Sequence, residues 1–145
     1  MQVGWVDREG YAQPKYYTEF KGAGTYYDPV HEFAATAGTH TYKCEYISVD
    51  QNWPCAVDST WLRSAALAQM GWSSGSYLVV QGEANAVHAQ IGTLLPSHLD
   101  FTSMQYKKTT TWLTFDITSM SNPGFPYERG EPAAGRFWNA TNSNH

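Results

Sequence analysis

The stretch "THTYKCEYISVDQNWPCAV", residues 39–57, decides the fold. Side chains alternate across a β-strand, so Tyr42, Cys44 and Tyr46 share one face, and Trp53, Cys55 and Val57 share another. Folding the stretch about a turn at Val49–Asp50 sets Tyr46 opposite Trp53, Cys44 opposite Cys55, and Tyr42 opposite Val57. One register thus aligns three apolar pairs, as a buried sheet face requires. Facing cysteines on neighbouring strands come within disulfide distance. The register therefore predicts a Cys44–Cys55 disulfide, with two buried thiols packing as small hydrophobes as the other outcome. A disulfide favours an oxidising compartment.

The same grammar of short β-forming runs between turn residues extends along the chain. Strands are expected at 2–7, 15–21, 30–35, 40–48, 53–58, 76–83, 100–107 and 111–117, which reads as a sandwich or barrel. "KGAG", "TAG", "WSSGS", "LLPSH" and "KTT" supply the turn chemistry between them. One short helix is expected near 60–70, in "TWLRSAALAQM"; it lacks a clear C-cap, and strand plus loop is the other reading. From 118 onward the chain is rich in Pro, Gly and Asn. The expected organisation is a β-domain over 1–117 and an irregular tail over 118–145.

Composition narrows the class. The 145 residues suit one domain and can bury roughly 70% of the surface exposed on unfolding. Charged residues are 15% of the chain, against about 25% in typical domains. With 10 Tyr and 6 Trp, the balance fits an extracellular all-β protein and excludes a disordered one. The net charge of −4 and nine basic residues give no stripe for nucleic acid. No apolar run is long enough to span a bilayer. The start "MQVGWV" begins inside a strand-like pattern, so a leader removed upstream of Met1 is expected, and with it secretion.

Candidate chemistry falls to a few residues. The five histidines show no metal-ligand spacing, and no metal or cofactor is expected. His31 and Glu32 are adjacent and point to opposite faces of a strand. Glu83, in "LVVQGEANAV" (78–87), ends an apolar strand just after a glycine, with no basic residue close in sequence. The plain reading is a strand-end acid facing water. Held against apolar neighbours instead, its carboxyl would have a raised pKa suited to acid–base work. His88, five residues on, could reach the same cleft. Glu19 shares a face with Tyr17 and Lys21, either an outer face or an aromatic-lined groove.

The motifs "QVGWVD" (2–7), "KYYTEF" (15–20), "THTYKCEY" (39–46), "VVQGEA" (79–84) and "FTSMQYKKTTTW" (101–112) occur in an order that resembles the glutamic peptidases (eqolisins) and the neprosin-type proteins. The resemblance covers residues 2–117. It implies an antiparallel jelly-roll β-sandwich of concanavalin-like type. It also implies a catalytic dyad of Gln2 and Glu83, where the neprosin pattern would place Glu at the first position. Glu83 would take a proton from the attacking water. The Gln2 amide would donate to the developing oxyanion. The expected activity is peptide-bond hydrolysis at acidic pH, with a polypeptide held by Trp5, Tyr17, Glu19, Trp53 and His88.

Three other readings compete, one of them a structural or assembly protein with an aromatic-rich packing surface. Trp5, Tyr16, Tyr17, Trp53, Trp72 and Tyr77 could stack sugar rings in a non-enzymatic carbohydrate-binding (lectin-like) module. Glycoside hydrolysis would need two flanking carboxyl groups, for which Glu83 and Glu19 are the pair to try.

Overall fold

The computed structural model describes residues 1–8, 10–74, 99–115 and 127–141. The described residues are mostly antiparallel β-strand with a single turn of helix, which is the all-β class expected. The chain divides into two compact units, Met1–Ser76 and Tyr77–His145. Among the described residues no helix is long and apolar enough to cross a membrane.

The first unit holds two three-stranded sheets. One runs β1 (Gln2–Val6), β2 (Lys15–Lys21), β3 (Tyr27–Ala34); the other runs β4 (Tyr42–Cys44), β5 (Asn52–Val57), β6 (Thr60–Ala66). Strand β2 shows why these residues choose extended backbone. Its period-two pattern buries Tyr16, Thr18 and Phe20 while Lys15, Tyr17, Glu19 and Lys21 face the other way. Phe20 packs with Trp53, Cys55, Ala65 and Met70, and Val3, Tyr26, Cys44, Tyr46 and Trp72 close around them.

The β4–β5 hairpin has the register read from sequence. Tyr42 pairs with Val57 and Cys44 with Cys55, and Ile47 bridges Asn52 beyond a loop at 48–51. The Tyr46 and Trp53 rings lie 5.3 Å apart. Cys44 and Cys55 form the disulfide, with Cα atoms 4.1 Å apart.

Three expectations change. The stretch 60–70 is strand β6 as far as Ala66, and only α1 (Leu67–Met70) is helical. Thr60, Trp61, Arg63 and Ser64 pair with β5 and carry the strand on to Ala66, so the helix has one turn. The C-cap is Gly71, which takes the left-handed conformation at φ 71° and donates its N–H to Leu67 O at 2.7 Å. The strand expected at 100–107 breaks into β7 (Leu99–Phe101) and β8 (Gln105–Lys108), with Ser103 at φ 53° between them.

The third change lies in the second unit. The stretch read as an irregular tail carries β10 (Tyr127–Ala133) and β11 (Arg136–Thr141), which form a hairpin that also pairs with β7. Gly135 sits in the turn of that hairpin at φ 70°, and the ladder is irregular between Gly130 and Ala133. Strand β8 pairs separately with β9 (Thr111–Thr114). The Met104 N–H donates to Gly135 O at 3.0 Å and ties the two substructures of this unit together. The strand expected at 76–83 lies outside the described residues.

Candidate functional site

The β1–β2 ladder pairs Gln2 with Glu19, Val3 with Thr18, Gly4 with Tyr17 and Trp5 with Tyr16. Alternation then sorts the candidates. Val3 and Thr18 face the core, so Gln2, Tyr17 and Glu19 share the opposite, outer face. Three of the residues singled out from sequence are thus brought together.

Gly4 makes their meeting specific. A Cβ at position 4 would sit 3.0 Å from the Tyr17 ring. With no side chain there, the ring lies over β1 and its hydroxyl donates to Gln2 Oε1 at 3.2 Å. An amide whose carbonyl oxygen is engaged keeps its NH₂ donors for another acceptor. Across the ladder, Tyr27 of β3 donates its hydroxyl to Glu19 Oε1 at 2.8 Å. That bond to a carboxylate, with partial desolvation, raises the Tyr27 phenol above its ordinary pKa. A Gln and a Glu therefore face each other, each held by its own phenol.

The same face extends to Glu32, which pairs with Tyr17 on β3, while His31 pairs with Thr18 on the inner face. Tyr11 bonds both Glu32 carboxylate oxygens, at 2.6 and 2.5 Å, and Arg8 approaches at 3.3 Å. The Lys15 ammonium sits 5.2 Å from the centre of the Tyr11 ring. Tyr27 was not among the residues singled out, and Glu32 entered only as the neighbour of His31. Only the cross-strand register, fixed by a bulge between Thr18 and Phe20, brings them to this face, and that bulge leaves no mark in composition.

The other candidates are dispersed. Trp5 is 38% exposed but sits opposite Tyr16, on the face away from Gln2. Trp53 is corrected to a packing residue. It is 6% exposed, its Nε1 donates to the Trp72 carbonyl at 2.8 Å, and its ring lies 4.7 Å from that of Trp72. The three apolar pairs that fix the hairpin register are what carry it inward. Tyr16 is buried too, leaving neither ring a face for a ligand. Glu83, His88 and Tyr77 lie outside the described residues.

Elsewhere in this unit Asp28 joins the two sheets. It accepts from Arg63 of β6 at 2.6 Å and contacts His31 Nε2 at 2.8 Å. His40 and Asp58 form a second pair at 2.9 Å. Among the described residues no three His, Cys, Asp or Glu side chains converge as a metal site would require. Comparison of the chain with protein-family models, with curated proteins and with solved structures finds no match.

Proposed function

We propose that this is a secreted glutamic-peptidase-like protein of the jelly-roll β-sandwich type, hydrolysing peptide bonds in acid with Gln2 and Glu83. The observation that carries the reading is the Gln2 amide. It lies on the outer face of its sheet with its oxygen held by Tyr17, so its N–H groups serve a substrate carbonyl. In this reading the ionised Glu83 takes a proton from water as the water oxygen attacks the peptide carbon. The carbonyl oxygen gains the electron pair and accepts from Gln2 Nε2. Glu83 then returns the proton to the departing amine as the carbon–nitrogen bond breaks. Tyr17 holds the amide, and Glu19, tied to Tyr27, borders the bound chain. Secretion agrees with the Cys44–Cys55 disulfide, because such bonds persist in oxidising compartments.

The test is cleavage of a denatured protein substrate between about pH 3 and 6, the range in which a carboxyl group can serve as both base and acid. Glu83→Gln abolishes cleavage on this reading, and Gln2→Leu lowers kcat by about 10²–10³, the effect of losing one oxyanion donor. Cleavage that survives Glu83→Gln removes Glu83 as the base.

A further inference from the structure

The outer face of the second sheet carries a feature that the peptidase reading leaves unused. A half-open depression of about 390 Å³ is lined by the apolar Trp61, Leu62, Pro54 and Ile47 and by the polar Asn52, Asp50, Ser64 and Arg63. That volume lies at the small end of ligand clefts, roughly 300–1,000 Å³.

The depression is built by a bulge. Pro54 pairs with Ser64 and Cys55 with Arg63, but Ala56 pairs with Trp61, so Leu62 is an extra residue in β6. In unbroken alternation Leu62 would stand opposite Ala56 on the outer face. The insertion puts Trp61 there instead, beside Lys43, which pairs with Ala56 from β4. The indole is 50% exposed, on a unit that buries Trp53 and Tyr16. The Lys43 ammonium lies 4.8 Å from the indole centre, fixing the ring from one side.

The charges around the depression select the ligand class. Lys43 is paired with Glu45 at 2.7 Å, and Arg63 with Asp28 at 2.6 Å. Both cations are neutralised by the protein, so an acidic ligand has nothing to gain from them. What remains is one flat aromatic surface and a rim of amide, carboxylate and hydroxyl groups. An apolar ring face bearing equatorial hydroxyls fits that combination. We infer that the Trp61 depression binds a neutral pyranose unit of a polysaccharide. The inference is independent of the peptidase reading, since it uses other residues on another sheet. It also relocates the carbohydrate reading of the sequence, whose rings Trp53 and Tyr16 are buried.

The experiment is affinity electrophoresis of the oxidised protein through gels containing a soluble β-glucan, a galactomannan or a xylan. Alongside run Trp61→Ala, Trp61→Tyr and, as a control on the first sheet, Tyr27→Ala. Retardation by at least one polysaccharide is expected, weakened about tenfold in Trp61→Ala, a loss of the size of one stacking contact. Trp61→Tyr should restore part of it and Tyr27→Ala should keep all of it. The Cys44–Cys55 disulfide and the near-ultraviolet spectrum report that each variant is folded. If none of the three gels retards the wild type, or if Trp61→Ala migrates as the wild type does, the inference is overturned, whatever the outcome of the cleavage assay.

Discussion

Gln2 and Glu19 stand opposite each other across the β1–β2 ladder, one anchored by Tyr17 and the other by Tyr27. A neutral residue at position 2 therefore spares the ladder a like-charge pair. Gln2→Glu would set two carboxylates directly opposite, a like-charge pair costing about 0.5 kcal/mol. The cost exists only where both are ionised, so the loss should appear in urea unfolding at pH 7 and vanish in strong acid. Equal losses at both pH values would show that repulsion is not the cause.

The His40–Asp58 pair predicts a pH dependence. The hydrogen bond from His40 to Asp58 raises the histidine above its ordinary 6.5. The Thr41 N–H, and then His40, lower Asp58 below its ordinary 3.8. His40 contributes stability fully below 6.5 and loses it as pH rises through its raised value. Asp58 contributes fully above 3.8 and loses it as pH falls through its lowered value. The pair stabilises most between those limits. In His40→Gln the fall in Tm between about pH 6 and 8 should flatten. An unchanged slope would assign that fall to other groups.

Opening the disulfide should be costly. It closes a loop across a sequence separation of 11 residues, and Cys55 is wholly buried. Replacing both cysteines by alanine should remove about 2–4 kcal/mol in urea unfolding. The wild type with reductant should shift in the same direction. A midpoint indifferent to both would mean that packing alone holds the hairpin.

Gly22 is closed to substitution by backbone, not by flexible side chains. A Cβ there would overlap Gln69 O and lie 2.8 Å from Met70 Cα, where the neighbouring Ala23 N–H bonds Met70 O at 2.8 Å. Gly22→Ala should cost about 1–3 kcal/mol, the range for overpacking. A stability within error of the wild type would show that the α1 turn moves freely.

How much of this is legible in the sequence depends on range. The β4–β5 hairpin is legible because its partners are close in sequence and one register satisfies three apolar pairs at once. Strand β2 is legible from alternation alone. The ends of β6 and the hairpin of β10 and β11 are not, because Ala, Leu, Gly and Pro serve helix, strand or turn according to what packs against them. For the site, alternation predicts that Tyr17 and Glu19 share a face, and the motif resemblance draws attention to Gln2. That Tyr27 and Glu32 join them, and that Trp61 stands opposite Ala56, depends on two bulges. Each reverses a side chain without any change in local residue type.

The Cys44–Cys55 staple has a consequence for assembly of the chain. Only two cysteines occur in the 145 residues, so a single intramolecular connectivity exists and no wrong isomer has to be undone. The hairpin that brings them together is local, and closing so short a segment costs little chain entropy compared with joining distant strands. Oxidation can therefore proceed before β1–β3 have found their places. An oxidised hairpin can hold Cys55 and Val57 in register ahead of that packing.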